Sequence, residues 1–367
     1  MSASNDRNHP LLRRKQDGDC VIAAIICHLT NASGDAMFDR STMSKAAATL
    51  VATFAAALPV VAGAQQKVTF QSNWFAQAEH GGLYQAVAEG TYKKYGLDVT
   101  VKMGGPQVNG LQLLAAGQVD IFMGFDIQNY KAWEQGIQAV SVGTFFQKDP
   151  IVVIAHSDVK TFSDLKSKTV LVSTDGQTNW WPWAKAKYGF KDEQTRPYTF
   201  NVQPFVANKN FAQQGYLTSE TLAVQKAGVK DAKVFLLADL GYPPYTETIT
   251  LLKKTIDANP KMVESFVKAT MEGWKSYLKN PAPGNALIKK DNPAMTDELL
   301  AFGLQKMKEM GIVDGGDAAK MGIGIITEAR MKQTWDMMVA NKLVDTTKVK
   351  FTDAWTDKFV KDAKVMP

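Results

Sequence analysis

Hydrophobic and polar positions alternate with two different periods over residues 66–130, and the change of period marks the elements. Val68 and Phe70 alternate with Thr69 and Gln71, and Leu97, Val99, Val101 and Met103 with Asp98, Thr100 and Lys102. Period two predicts strands. Between them Tyr84, Val87, Ala88, Thr91, Tyr92 and Tyr95 recur at helical spacing, and Gly96 follows as a C-terminal stop. The pattern reads strand, helix, strand, helix, strand up to Gly124. A third helix is expected from Asp126, read as its N-cap, to Gln135, with strands near Ala139–Gly143 and Ile151–Ala155. Parallel strands joined by helices leave a crevice at the strand C-termini, where ligands bind.

The same alternation resumes near Thr161. Strands are expected at Thr169–Ser173, Gly215–Ser219 and Lys233–Leu237, with a helix ending at Tyr188 before Gly189. Thr248–Leu252 is a candidate to cross back to the first unit. The last third is helical. Asn259-Pro260 opens one helix, and its apolar stripe contains Val263, Phe266, Val267, Trp274, Tyr277 and Leu278. Further helices start at Thr296 and Thr327. These stripes are core-facing. The expected fold is α/β in two lobes: 66–155 forms lobe I, 160–245 forms lobe II, and 246–367 returns to lobe I and packs its helices there.

A length of 367 residues allows about two domains at roughly 100–200 residues each. The net charge of +6 is spread out, with no Lys/Arg run that would suggest nucleic acid or an anionic membrane. Near the start the pattern changes again. Met43-Ser44-Lys45 is a short basic segment, Ala46 to Val61 is mostly apolar, and Ala62-Gly63-Ala64 has the small-x-small form of a cleavage site. That is the layout of a secretory signal peptide at 43–64, cut between Ala64 and Gln65. Residues 1–42 then read as an upstream extension or a start assigned too early. Cys20 and Cys27 both precede the cut, so the exported chain would carry no disulfide, thiolate metal site or cysteine nucleophile. A soluble periplasmic monomer is expected.

Catalytic patterns are missing. There is no G-x-S-x-G, H-E-x-x-H or phosphate-binding G-x-x-x-x-G-K-[ST], and no dinucleotide fingerprint after a strand. His80 and His156 are the only histidines after the cut, too few for a three-histidine zinc site. No cofactor or metal is expected. What remains suits binding. Glu79-His80-Gly81-Gly82 opens the first helix, where glycines admit close backbone approach and free N–H groups favour a polar acceptor; capping by His80 or Glu79 is the plainer alternative. Gly104-Gly105-Pro106 and Gly124-Phe125-Asp126 are read as opening the next two helices at the same sheet edge. Trp74, Tyr84, and Trp180 and Trp181 within Asn179-Trp180-Trp181-Pro182-Trp183 offer aromatic faces for a planar ligand, although Trp180 and Trp183 at helical spacing suit a core. Tyr242 and Tyr245 could add to the site from the hinge.

The segment N-W-F-A-Q-A-E-H-G-G-L-Y-Q-A, followed by G-T-Y-K-K-Y-G-L-D-V, resembles the solute-binding proteins for nitrate, sulfonates, taurine and thiamine pyrimidine precursors, a family that includes the yeast-type thiamine pyrimidine synthase. The resemblance covers roughly residues 67–130, weakens through 164–170 and 215–220, and fades in the C-terminal helices. It implies a type II periplasmic binding fold that closes around a small-molecule ligand and delivers it to the permease of an ABC importer. Cleft positions are expected for Asn73, Trp74, His80, Tyr84, Asp126, Trp180, Trp181 and Tyr242, and the resemblance implies one for Glu220, where an acid at a helix start is the plainer alternative. The synthase branch shares Trp74, His80 and Gly117-Gln118-Val119-Asp120. Just beyond that motif the synthase carries a lysine for pyridoxal phosphate and a substrate histidine. This chain reads Ile121-Phe122-Met123-Gly124-Phe125-Asp126-Ile127-Gln128-Asn129-Tyr130 and has neither. The expectation is a binding protein, not an enzyme, for a heteroaromatic solute such as a thiamine pyrimidine precursor, with a sulfonate, taurine or aromatic acid as the alternative.

Overall fold

A computed structural model describes residues 64–367; the expected signal peptide and the preceding extension lie almost wholly outside them. Two five-stranded sheets organise the chain. In the first, β1 (Gln66–Gln71) pairs in parallel with β2 (Leu97–Lys102), Val68 opposite Val99, and with β3 (Ile121–Gly124). β4 (Ala139–Thr144) completes this sheet at its far edge. The second sheet holds β5 (Ile151–Ala155), β6 (Thr169–Val172), β7 (Thr195–Pro197), β8 (Phe211–Tyr216) and β9 (Lys233–Leu236), in the order β7-β6-β8-β5-β9. β10 (Thr248–Leu252) lies in the first sheet, antiparallel between β3 and β4. Two segments therefore pass between the sheets, 145–150 and 237–247.

Several boundaries differ from those read in the sequence. Ile151–Ala155 was expected to close the first unit, but it pairs antiparallel with β8 and β9 of the second. Its five residues are all apolar and all buried, so the strand has no polar face to disclose its sheet. The strand expected at 215–219 runs instead over Phe211–Tyr216, because the buried Gln213 and Gln214 disguise its middle. The first helix is two pieces, Gly81–Ala88 and Thr91–Lys94, separated at Gly90, which takes a φ of 67°. Asp126 is the first residue of its helix and Phe125 is the N-cap. Gly104-Gly105-Pro106 opens no helix; the next one starts at Gly110, capped by the Asn109 side chain on the Gln112 N–H.

The long helix Pro260–Lys279 lays its stripe on the first sheet. Phe266 stacks between Phe70 and Tyr92, at centroid distances of 5.7 and 5.2 Å. Its Tyr277 and Trp274 rings lie against the start of the Gly81–Ala88 helix. A Cβ on Gly81 would meet the Tyr277 ring at 2.1 Å, and one on Gly82 the Trp274 ring at 2.3 Å. Close helix packing thus requires both glycines, and the reading of them as openings for a ligand is corrected. Among the described residues no helix is long and apolar enough to cross a membrane.

Candidate functional site

A cavity with about 460 Å³ of space between atoms, part of it open to solvent, lies between the sheets. Asn73, Trp74, Gln77, His80 and Phe125 line it from the first lobe, and Ser173, Asp175, Asn179, Gln214, Tyr216 and Glu220 from the second. Glu247 enters from the second crossing segment. A second hollow of about 800 Å³ shares Gln77 and Glu220 with it, but its other walls are largely apolar seam residues such as Phe200, Met295 and Leu299.

The lobes are closed on each other. The Thr174 N–H donates to the Pro106 carbonyl at 2.9 Å, Gln107 Nε2 to the Tyr198 carbonyl at 3.0 Å, and Gln128 Nε2 to Asp175 Oδ1 at 3.1 Å. The Thr218 hydroxyl donates to Glu79 across the same seam. Trp74 stacks on Tyr198, 5.9 Å between centroids. The crossing segments are tied together at Arg330. Its Nε donates to the Pro243 carbonyl at 3.1 Å, its terminal nitrogens to the carbonyls of Gln147 and Pro244, and the guanidinium sits 4.3 Å over the Tyr245 ring.

Asn73, Trp74, His80 and Glu220 come together in this cavity. His80 is buried, its ring nitrogens have no partner among the described residues, and desolvation pushes its pKa down to about 4, so the ring is neutral. Glu220 accepts from the Tyr198 hydroxyl at 3.0 Å and the Tyr216 N–H at 2.8 Å; burial raises its pKa against those bonds.

The other five candidates do not line it. Tyr84 is in the first core, its hydroxyl donating to Asp291 at 2.9 Å. Trp180 and Trp181 are fully buried in the second core, Trp181 stacked on Phe190 at 5.6 Å with its Nε1 donating to Asp192. Tyr242 packs on Trp183, centroids 5.0 Å apart. The tryptophan run follows helical spacing into a core, and Asn179 alone of it reaches the cavity. Asp126 accepts from the Tyr245 N–H at 3.0 Å beside Arg330, behind the cavity wall. Burial pushes its pKa up to about 7.

Sequence reasoning missed Glu247. It is 1% exposed, and its backbone takes a φ of 54°, a conformation costly for a residue with a Cβ and concentrated at functional sites. Its Oε1 accepts from Asn73 Nδ2 at 2.9 Å and from the Tyr216 hydroxyl, one group from each lobe. Its Oε2 has no partner among the described residues. Burial, with the charges of Asp149 and Asp175 adding, pushes its pKa up to about 8. The available signal was an acid directly before the buried strand Thr248–Leu252. Asp175, raised by burial to about 7, makes a third carboxyl in the lining. The described lining residues include no lysine or arginine, and no group of His, Cys, Asp and Glu among the described residues could hold a metal.

Two sheets crossed by two segments, with a cavity walled by both, define the two-lobed fold of periplasmic binding proteins. The chain belongs to the NMT1/THI5-like family, whose profile matches residues 77–283. A Haemophilus influenzae protein named for thiamine biosynthesis is 27% identical over 115 residues, 31% of this chain and 37% of that protein. The formylaminopyrimidine-binding protein of Halalkalibacterium halodurans is 22% identical over 70% of this chain and 82% of its own. Among solved structures, the alkanesulfonate-binding protein SsuA of Xanthomonas axonopodis pv. citri superposes with a TM-score of 0.60 at 16% identity, covering 80% of this chain and 99% of that one. The desulfurization enzyme DSZB shares the fold at a TM-score of 0.52 and 10% identity, over 82% and 99% of the two chains.

Proposed function

We propose that this protein is the periplasmic solute-binding component of an ABC importer and takes a small heteroaromatic molecule that carries N–H groups, of the aminopyrimidine class. The single observation that carries this reading is the cavity between the lobes, whose lining from both lobes and a crossing segment is rich in acceptors and lacks cations among the described residues. A solute held there would keep the lobes shut, and the shut form would present both lobes to a permease. Trp74, which lines the cavity and stacks on Tyr198, would cover one face of a planar ring in this reading.

The alternative, a sulfonate or aromatic acid, would bring a negative charge beside Asp175, Glu220 and Glu247 with no lining lysine or arginine to offset it. The fold likeness to SsuA does not offset this, since the fold is shared across ligands and with an enzyme. For turnover, the segment Ile121 to Tyr130 lacks the lysine and histidine of the synthase branch. The signal-peptide pattern at 43–64 supports a periplasmic location.

A thermal-shift screen over pyrimidines, flavins, sulfonates and aromatic acids tests the reading. A solute at 100 times its Kd stabilises the folded state by about 2.7 kcal/mol, a rise of several degrees in Tm at roughly 2–4 °C per kcal/mol. Aminopyrimidines are expected to give that rise. No shift with any solute would reject the binding reading, and a shift confined to sulfonates would replace the ligand class.

A further inference from the structure

The lining acids differ in how far their hydrogen-bonding capacity is used. Glu220 is occupied by Tyr198, Tyr216 and Ser219. Glu247 is not: Oε1 is held by Asn73 and Tyr216, while Oε2 is buried and has no partner among the described residues. The Asn73 amide, which donates to Glu247, leaves its own Oδ1 buried and without a partner, and Gln77 Oε1 is in the same condition. A buried polar atom without a partner is costly. The two amide oxygens accept only, and Glu247 Oε2 accepts once the carboxyl is ionised, the form that a cation beside it favours; all three belong to residues lining the cavity, and donors from one ligand can satisfy them.

Charge narrows the donor. The groups that face Glu247 are Asp149 and Asp175, both carboxyls, with Tyr216, Asn73 and the neutral His80 around the same space. Arg330 is committed to carbonyls of the crossing segments and to the field of Asp126 and Asp149. We infer that Glu247 anchors the ligand, its free oxygen together with that of Asn73 accepting two N–H groups from a positively charged amidine-type N–C–N edge. The inference rests on the solute-binding reading and specifies the group that the site recognises. Because Glu247 is held by Asn73 from one lobe and Tyr216 from the other, the anchor is complete only when the lobes are closed. A ligand edge bound there stabilises the closed form in particular, which gives it the differential affinity that closure requires.

Calorimetric titration with three rings of one shape tests this: benzamidine, a cation with two N–H-bearing nitrogens; benzamide, its neutral counterpart; and benzenesulfonate, an anion. The wild type is expected to bind benzamidine at least tenfold more tightly than benzamide and to bind benzenesulfonate most weakly. Glu247→Gln is expected to remove the preference for benzamidine over benzamide. The wild-type ranking stands as a test on its own should that variant not fold. Equal affinity for the three, a preference for benzenesulfonate, or a benzamidine preference that survives in E247Q would overturn the inference. A wild type that ignores all three but binds a solute of the wider panel overturns it too, and leaves the binding reading intact. Failure to bind any compound takes down both.

Discussion

His80 and Trp181 were equal candidates in the sequence, and their surroundings separate them. Both are buried, yet His80 leaves two ring nitrogens unpartnered at the cavity, whereas Trp181 places its Nε1 on Asp192 and its ring on Phe190. Trp181→Ala is therefore expected to cost about 3–5 kcal/mol of stability, measured by urea denaturation. A folded W181A with wild-type stability would contradict its place in the core. Trp74→Ala removes a partly exposed ring that stacks on Tyr198 and meets Phe200 edge-on across the seam. It is expected to weaken binding by up to about tenfold, the equivalent of an aromatic contact of about 0.5–1.5 kcal/mol, with unfolding little changed; unaltered affinity would remove Trp74 from the site. Of the site, the sequence disclosed the residues next to a strand end or helix start, Asn73, Trp74, His80 and Glu220. It hid Glu247, because a lone acid before a strand gains its meaning only when a distant asparagine and tyrosine arrive beside it.

At the scale of elements, alternation over β1 and β2 and the glycine stops at Gly96 and Gly189 were legible because each is a local property. The sheet to which β5 belongs was not, since pairing is decided by what lies across the strand and not by its own five apolar residues. The Gly81-Gly82 pair was visible, but its reason lay far along the chain in the rings of Trp274 and Tyr277. Gly82→Ala is expected to destabilise by about 1–3 kcal/mol through overpacking; a neutral effect in a thermal melt would show that the helices can separate without cost. Arg330→Met keeps the bulk but removes the donors to Pro243, Gln147 and Pro244. Loss of at least about 1.5 kcal/mol is expected, together with faster ligand release in stopped-flow experiments. An unchanged release rate would separate Arg330 from the control of closure.

The whole molecule carries an excess of buried acid. Burial raises Glu79, Asp126, Asp149 and Asp175 to about 7 and Glu247 to about 8. A carboxyl with a raised folded-state pKa holds its proton longer when folded, so its stabilising contribution is complete below about pH 4 and is lost as pH rises through 7 to 8. His80, lowered to about 4, works in the opposite sense between about pH 4 and 6.5, one group against these five and Glu220, which burial also raises. The ligand-free protein is therefore expected to melt higher at pH 5.5 than at pH 8.5, and the reverse order would contradict the burial of these acids without ligand. The two-lobed plan was legible in the order of periodic segments, while the acidity of the closed cleft emerged only from the packing of the lobes. The central claim is that this cleft holds a small N–H-bearing solute and releases it unchanged. Equilibrium binding of an aminopyrimidine, followed by denaturation and mass analysis of the recovered compound, tests it most directly. One solute per chain, recovered with its mass unaltered, is the predicted result; absence of binding, or recovery of a compound of different mass, would contradict it.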